Sequence, residues 1–249
     1  MEKTALVTGA SEGIGRVFAQ KLAKEGFTVT GVARSESKLQ GLVKEIGAKH
    51  GYIVADLSTE SGQKKIAKEL GENHYDLLIN NAGVGAVGKF LEIPLEKQIS
   101  MLKLNCEAVV NLSFSFLKKS KSGDALINVS STLAFMPMPS IGLYSATKAF
   151  VTSFTESLWF EQKTRGVYVM GLCPGITSTN FQVNSGGKME DIPQNLAQTP
   201  QAVVENAWKA LQARKNPTVI SGKKNAVMTV MTKMMPRKST VTMMGKMMP

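Results

Sequence analysis

The sequence predicts a single α/β domain built on a doubly wound parallel sheet of about seven strands, with helices on both faces. Over the first 220 residues, short runs rich in β-branched residues alternate with longer amphipathic stretches. The short runs are continuously apolar, as in Leu77-Leu78-Ile79, which is typical of strands buried on both faces of a parallel sheet. A chain of 249 residues is also long enough to bury the core of one such domain.

The predicted elements alternate along the chain. The predicted strands are residues 4–8, 28–33, 51–55, 76–80, 125–129, 167–173 and 218–221. The predicted helices are residues 14–25, 35–49, 58–70, 95–116, 144–164 and 200–213, of which 95–116 could be two helices. Gly26 suits the position after the first helix, Ser58 is a plausible cap of the third, and Thr199 with Pro200 suits the start of the last.

Composition and charge exclude several classes of protein. Two cysteines, Cys106 and Cys173, cannot form a disulfide framework or a dedicated metal site, so we expect no metal and a reducing, cytoplasmic location. No apolar run is long enough to span a membrane, and a secretory signal is not expected. The net charge is +11, of which residues 222–249 carry six cations and no acid. Because this basic segment is rich in methionine and has no aromatic residues, we do not expect a nucleic-acid partner.

A glycine-rich turn joins the first predicted strand to the first predicted helix. It runs Thr8-Gly9-Ala10-Ser11-Glu12-Gly13-Ile14-Gly15. Glycines let the backbone turn tightly and approach a pyrophosphate, and the free N–H groups at a helix N-terminus favour its negative charge. We therefore expect a dinucleotide to bind here. The candidate cofactor-binding residues of the turn are Gly9, Ser11, Gly13, Ile14 and Gly15.

Further motifs follow in a fixed order. They are Asn80-Asn81-Ala82-Gly83 after the fourth strand, Asn105 in the next helical stretch, Ser131 after the fifth strand, Tyr144-x-x-x-Lys148, and Pro174-Gly175 after the sixth strand. With the Gly-x-x-x-Gly-x-Gly spacing of the turn, residues 4–181 resemble the short-chain dehydrogenase/reductase family. Residues 144–181 resemble its subgroup of hydroxysteroid dehydrogenases and 3-oxoacyl reductases. The resemblance implies a Rossmann-type fold and an NAD(P)-dependent oxidoreductase.

The candidate catalytic residues are Asn105, Ser131, Tyr144 and Lys148. Tyr144 and Lys148 are four residues apart and share one face of the predicted helix. A neighbouring ammonium favours the phenolate and lowers the pKa of a tyrosine, so the pair could exchange a proton with a carbonyl or alcohol oxygen. Ser131 could hold the same oxygen by a hydrogen bond, with Ser130 expected to be a packing residue. The resemblance implies that Lys148 also holds the nicotinamide ribose and that Asn105 anchors a proton-relaying water.

The end of the second strand bears on the choice of cofactor. Ala33 stands where an acid would bind the ribose 2′-hydroxyl of NAD, and Arg34 follows it. Because a guanidinium can grip a 2′-phosphate bidentately, we favour NADP(H) over NAD(H). Glu12 opposes this preference unless its carboxylate turns away, and Arg34 could instead be a solvated loop residue.

The resemblance implies further cofactor contacts beyond the glycine-rich turn. They are Asp56, Leu57, Asn81, Ala82, Gly83, Tyr144, Lys148, Pro174, Gly175, Thr177 and Thr179. Asp56 could instead, or in addition, cap the helix that follows it.

The substrate is expected to be a small apolar carbonyl or alcohol compound, such as a steroid-like, aromatic or acyl-chain ketone. Residues 133–139 contain a phenylalanine and two methionines and should form an apolar wall beside Tyr144. Residues 84–90 and a polar segment at 180–199, which we interpret as a lid, would complete the pocket. A non-catalytic NADP(H)-binding sensor on the same fold is the alternative function.

Residues 1–221 are predicted to form the catalytic domain and residues 222–249 a basic, methionine-rich tail. The tail could contact an anionic membrane surface weakly, or pack on a neighbouring subunit, or fray in solvent. The helix that carries Tyr144 continues through Phe150, Phe154 and Trp159-Phe160, and in the family the corresponding helix often packs against a second subunit. We therefore expect a homodimer or homotetramer.

Overall fold

A seven-stranded parallel sheet forms the centre of the molecule, with the strand order β3-β2-β1-β4-β5-β6-β7. The computed structural model describes residues 2–187 and 197–247. The strands are β1 (Thr4–Thr8), β2 (Thr28–Ala33), β3 (Gly51–Val54), β4 (Leu77–Asn80), β5 (Ala125–Val129), β6 (Tyr168–Cys173) and β7 (Thr218–Ile220). This arrangement confirms the predicted Rossmann-type fold. Four strands are one residue shorter than predicted, a difference of the size that is usual at the ends of elements.

Helices cover both faces of the sheet. They are α1 (Gly13–Lys24), α2 (Glu36–Ile46), α3 (Glu60–Glu72), α4 (Leu95–Leu102), α5 (Ala108–Lys119), α6 (Gly142–Glu161), α7 (Phe181–Asn184), α8 (Pro200–Ala213), α9 (Lys223–Met234) and α10 (Arg237–Met247). Successive strand residues point to opposite faces, so Ala5 and Val7 of β1 pack with α1, α2 and α8, whereas Leu6 packs with α3 and α5. The two faces therefore have separate hydrophobic cores.

Most helix ends differ from the prediction by one to three residues, and two differences are larger in consequence. Thr59, not Ser58, is the N-cap of α3, and its Oγ1 accepts a hydrogen bond from the Gly62 N–H at 3.1 Å. Residues 95–116 form neither one regular helix nor two separate ones, because α4 runs into α5 through a π-helical turn, Lys103–Glu107. Such a turn inserts one residue into a helix and is frequent at functional sites.

The basic tail folds back onto the domain. Helix α9 packs against a 3-10 turn, Thr132–Phe135, which follows β5. Buried residues of the two tail helices include Thr229, Thr232, Thr240 and Met244. Among the residues that the structure describes, no helix has the length and apolar character needed to cross a membrane.

The segment 180–199 is described only in part. Its residues 188–196 lie outside the described residues, so the predicted lid stays a prediction. Helix α7 begins the segment, and the Val87 N–H donates to the carbonyl oxygen of Ser185 at 2.9 Å. At the other end, the Gln198 N–H donates to the carbonyl oxygen of Ile176 at 2.9 Å. Both described ends are therefore fixed to the domain.

Candidate active site

The candidate residues collect at the carboxyl edge of the sheet. The glycine-rich turn follows β1, residues 81–83 follow β4, Ser131 follows β5 and Pro174 follows β6. Strand order reverses between β1 and β4, and ligands of open α/β sheets bind in the crevice at such a point.

Asn81 braces the glycine-rich turn. Its Nδ2 donates to the Thr8 carbonyl oxygen at 2.9 Å, and the Asn81 and Ala82 N–H groups both donate to Thr8 Oγ1 at 2.9 Å. A Cβ on Gly15 would lie 2.3 Å from the Gly9 carbonyl oxygen, and Gly9 itself has a φ of +68°. The turn thus requires glycine at both positions, and the Asn81 side chain holds its shape.

The first turn of α1 has the donors that a phosphate needs. Glu12 occupies the N-cap position, yet its side chain makes no capping hydrogen bond. The first N–H groups of a helix have no partner within the helix, so here they remain available to an anion. The methyl group of Thr179 would lie 3.3 Å from a Cβ on Gly13, which places Thr179 beside the same turn. A dinucleotide pyrophosphate fits this turn.

Glu12 is turned away from the helix end and is paired. Its carboxylate accepts from Lys38 Nζ at 2.8 Å and from Asn184 Nδ2 at 3.1 Å. The hydrogen bond from Lys38 lowers the pKa of Glu12. Lys38 therefore compensates the negative charge that would oppose binding of a phosphate group.

Arg34 is exposed immediately after β2. Its guanidinium makes no hydrogen bond or ion pair with the residues that the structure describes. It is therefore free to bind an anionic ligand, although its position alone is also that of a solvated loop residue.

Asp56 and Leu57 line the end of β3. Asp56 Oδ1 accepts from the Ser58 N–H at 2.9 Å and from Ser58 Oγ at 2.7 Å. Asp56 therefore holds the turn before α3 and does not cap that helix, since Thr59 does so. Leu57 is buried.

Ser131, Tyr144 and Lys148 are brought together from two elements. Ser131 follows β5, and the other two lie one turn apart in α6. The Ser131 side chain is close enough to the Tyr144 phenol to lower its pKa, and Lys148 Nζ lies 5.6 Å from the centre of the Tyr144 ring. Lys148 Nζ also donates to the Val129 carbonyl oxygen at 2.9 Å. All three side chains are buried.

Ser130 faces away from this group. Its Oγ donates to the Lys148 carbonyl oxygen at 2.8 Å and lies 2.7 Å from Thr152 Oγ1. It fixes the position of α6 against β5, which agrees with the packing role expected for it.

The predicted lowering of the Tyr144 pKa is wrong for the chain without cofactor. Burial raises the pKa of the Tyr144 phenol, and the Ser131 hydrogen bond opposes that rise only in part. Burial also lowers the pKa of Lys148 to about 8. The spacing of the two residues predicted their attraction but not the loss of solvation that both charges suffer.

Lys148→Met is expected to remove a pH-dependent contribution to stability. Between about pH 8 and 10.5 the unfolded chain holds more protons on Lys148 than the folded chain does. The contribution of Lys148 to the free energy of unfolding therefore rises with pH in that window, by at most about 1.4 kcal/mol per pH unit. Below the window, the full destabilisation from burying the charged lysine is present. Urea denaturation of both proteins without cofactor, between about pH 7 and 9.5, measures the difference. If the free energies of unfolding of the two proteins differed by the same amount at every pH, the lowered pKa of Lys148 would be contradicted.

Asn105 lies in the π-helical turn and is buried. Its Nδ2 donates to the Val84 carbonyl oxygen at 2.9 Å and to Thr147 Oγ1 at 3.1 Å, and its Oδ1 accepts from the Val84 N–H at 3.0 Å. A Cβ on Gly83 would lie 3.2 Å from Asn105 Oδ1 and 3.4 Å from Lys148 Nζ. Asn105 thus joins the loop after β4 to the helix that carries Tyr144.

The segment after β6 is held by short hydrogen bonds. The Pro174 carbonyl oxygen accepts from the Thr132 N–H at 2.9 Å, and Thr177 Oγ1 donates to the Gly175 carbonyl oxygen at 3.0 Å. Thr179 Oγ1 accepts from the Phe181 N–H at 3.2 Å. These contacts place the backbone of residues 174–179 beside the glycine-rich turn.

Three residues near the site were not predicted. Phe181 lies against Tyr144, with 5.4 Å between the ring centres. Thr147 binds Asn105, and Asn225 of α9 lies against Gly175, where a Cβ would clash with it. Phe181 and Thr147 are close in sequence to predicted site residues, which could have indicated them. Asn225 is 50 residues from Gly175, and no sequence pattern connects the two.

Apolar side chains surround the Tyr144 phenol. Ala86, Met101 and Ile141 form a buried cluster with it. Leu133 and Met138 of the predicted wall pack on this cluster, together with Val84, Val87, Ile93, Leu143 and Phe181. The predicted wall therefore contacts the catalytic candidate, whereas Phe90 is exposed.

Comparisons with known proteins agree with this geometry. Residues 3–190 match the family model described as short chain dehydrogenase. The 7beta-hydroxysteroid dehydrogenase of Mediterraneibacter gnavus is 32% identical over 230 residues, covering 88% of this chain and 86% of that protein. The probable oxidoreductase EphD of Mycobacterium tuberculosis is 33% identical over 188 residues, 72% of this chain but only 32% of that protein. A solved short-chain dehydrogenase from Sphingobium yanoikuyae in complex with NADPH superimposes with a TM-score of 0.82 at 25% identity, covering 94% of this chain and 96% of that one.

Proposed function

The chain belongs to the short-chain dehydrogenase family of nicotinamide-dependent oxidoreductases, and we propose that it interconverts an apolar ketone and its secondary alcohol with NADP(H). The observation that carries this proposal is that Ser131, Tyr144 and Lys148 are all buried and that the Lys148 ammonium lies 5.6 Å from the Tyr144 ring. The cofactor, when bound, supplies or accepts the hydride.

Tyr144 is proposed to exchange a proton with the substrate oxygen. Its phenol stays protonated at neutral pH in the chain without cofactor, so it can donate to an oxygen that gains charge. Ser131 would hold the same oxygen by a hydrogen bond, because its hydroxyl is near enough to the phenol to influence the pKa of Tyr144. Lys148 and Asn105 would then orient the ribose and the proton relay, as the resemblance implies.

The glycine-rich turn is proposed to hold the pyrophosphate and Arg34 the 2′-phosphate. The uncapped first turn of α1 supports the first assignment. The Arg34 guanidinium, which has no partner among the described residues, and the neutralising contact of Lys38 with Glu12 support the second. Residues 174–179, with Tyr144 and Lys148, would hold the nicotinamide end, while Asp56 and Leu57 lie where the adenine would bind.

An apolar substrate is proposed because the phenol lies among apolar side chains. Leu133, Met138 and Phe181 approach Tyr144, and methionine adapts its shape to bulky ligands. The name of the Mediterraneibacter gnavus relative supports a steroid-like ketone within this class.

Turnover on a graded series of ketones tests the proposal. NADPH oxidation should be faster for bulky apolar ketones than for small polar carbonyl compounds of similar reactivity, by about tenfold or more in kcat/KM, since each buried methylene contributes about 0.8 kcal/mol. Faster turnover of sugars or other small polar carbonyl compounds would contradict the apolar pocket. Binding of NADPH without turnover of any ketone would favour the sensor.

The expected homodimer or homotetramer is proposed to use the exposed aromatic face of α5 and α6. Phe114, Phe150 and Phe160 are exposed there, and aromatic side chains are enriched at interfaces. Sedimentation equilibrium that gives the mass of one chain would contradict this proposal. We also propose a cytoplasmic location, since Cys106 and Cys173 are both free thiols. Protection of the protein from protease added to intact cells, with cleavage after lysis, tests it.

A further inference from the structure

Helix α9 turns a polar side inward and an apolar side outward. In α9 the buried residues are Thr229 and Thr232. Val227, Val230, Met231 and Met234 are 61, 57, 60 and 82% exposed. This is the reverse of the pattern of a surface helix in a globular domain. In α10, Val241 and Met243 are also exposed, while Thr240 and Met244 are buried.

Four of the five exposed large apolar residues of α9 form one stripe, and Met228 is the fifth. Residues 227, 230, 231 and 234 follow the i, i+3, i+4, i+7 spacing that places side chains on one side of a helix. Single exposed apolar residues are ordinary, but a contiguous stripe indicates an interaction surface. We call Val227, Val230, Met231, Met234, Val241 and Met243 the tail face.

Basic residues surround the tail face. The exposed cations of the two helices are Lys223, Lys224, Lys233, Arg237, Lys238 and Lys246, and residues 222–249 contain no acid. None of these cations forms an ion pair with the described part of the chain. The surface therefore combines apolar side chains with uncompensated positive charge.

We propose that the tail face docks on an anionic phospholipid surface. A helix that lies in the lipid interface needs an apolar stripe, while lysine and arginine attract the acidic headgroups. A second copy of this chain would bring six further cations against six, so charge opposes that occupant. A nucleic acid would find cations but no aromatic side chain for base stacking between residues 222 and 249.

Helices α9 and α10 pack against residues of the predicted apolar wall, on the substrate side of the domain. Lys233 Nζ lies 4.3 Å from the centre of the Phe135 ring, and a Cβ on Gly245 would lie 3.3 Å from Pro139 Cγ. Both Phe135 and Pro139 belong to the predicted apolar wall. Docking would bring that wall close to the lipid, but the inference rests on the tail alone and does not depend on the proposed function.

Co-sedimentation of the full chain with vesicles tests the proposal. Vesicles of phosphatidylcholine alone are compared with vesicles that also contain phosphatidylglycerol. We expect binding to the anionic vesicles to be stronger by about tenfold or more, and to weaken as salt rises from about 0.1 to 1 M and the Debye length falls from about 10 to 3 Å.

Two variants separate the apolar and the electrostatic contributions. The triple variant Val227→Ser, Met231→Ser, Met234→Ser should bind anionic vesicles about tenfold or more weakly, because the stripe can no longer insert. The triple variant Lys223→Gln, Lys224→Gln, Lys246→Gln should lose on the order of 100-fold, at about 1 kcal/mol per cation. All six side chains are exposed, so both variants should fold, and thermal unfolding verifies this.

Leu91→Ser is the matched control. Leu91 is 92% exposed but lies outside the tail, so its replacement should leave vesicle binding unchanged. Equal binding of the wild type and the serine variant would overturn the proposal, as would equal binding to neutral and anionic vesicles. The wild type could also bind neither kind of vesicle, while the serine variant has a smaller sedimented mass than the wild type in lipid-free buffer. That result would assign the tail face to a contact between copies of the chain, and it would equally overturn the proposal.

Discussion

Tyr144→Phe should lower kcat by about 10²- to 10⁴-fold, the range that one positioned proton donor contributes. The affinity for NADPH should change little, because the glycine-rich turn and Arg34 lie elsewhere in the site. The Tyr144 side chain is buried, so we expect no solvent molecule to replace the lost hydroxyl as the proton donor. Stopped-flow measurement of a single turnover, with cofactor fluorescence for binding, separates the two effects.

Tyr75→Phe is the matched control for the lost hydroxyl. Tyr75 is also buried, and its phenol donates to Glu69 Oε1 at 2.8 Å, outside the candidate site. This variant should lose some stability and keep its kcat. Ser131→Ala should lower kcat as well, because the substrate oxygen loses one of its two hydrogen-bond partners. Wild-type turnover by the Tyr144→Phe protein would show that Tyr144 takes no part in the proton transfer.

The sequence predicted the fold well because the signals were local and repeated. Runs such as Leu77-Leu78-Ile79 are buried on both faces, and the predicted alternation with helices matches the observed order of elements. The errors lie at boundaries. Ser58 and Thr59 are both good cap residues, and the choice of Thr59 depends on Ser58 being engaged by Asp56. A local side-chain hydrogen bond, which the residue types alone do not reveal, decided between two equal candidates.

The site was predictable as a set of residues but not as an electrostatic environment. Motif order placed Ser131, Tyr144 and Lys148 together, and the structure brings them together. The direction of the Tyr144 pKa depends on burial by Phe181, Met101 and their neighbours, and those residues are not in the motif. The partner of Glu12 is likewise 26 residues away in α2, so only the fold reveals that its charge is compensated.

Arg34→Asp should change the cofactor preference from NADPH to NADH. The guanidinium is free and exposed after β2, where Ala33 leaves no acid to bind a ribose 2′-hydroxyl. Losing charge-assisted hydrogen bonds of about 1.5–3 kcal/mol each, and gaining a repulsive carboxylate, should raise the NADPH Kd by roughly 100-fold or more. NADH affinity should stay within a few-fold or improve, because aspartate can bind the 2′-hydroxyl. Titrations of cofactor fluorescence measure both constants.

Arg16→Gln separates specific recognition from general charge. Arg16 lies in α1, and its guanidinium is already paired with Glu45 at 2.6 Å. Its loss should therefore weaken the binding of NADPH and of NADH equally and only slightly. Lys38→Gln should also weaken NADPH binding, since the Glu12 carboxylate would then face the phosphates without its ion pair. Equal losses of NADPH and NADH affinity in Arg34→Asp would show that Arg34 is a solvated loop residue. A wild type that prefers NADH would show that Glu12 determines the cofactor despite Lys38.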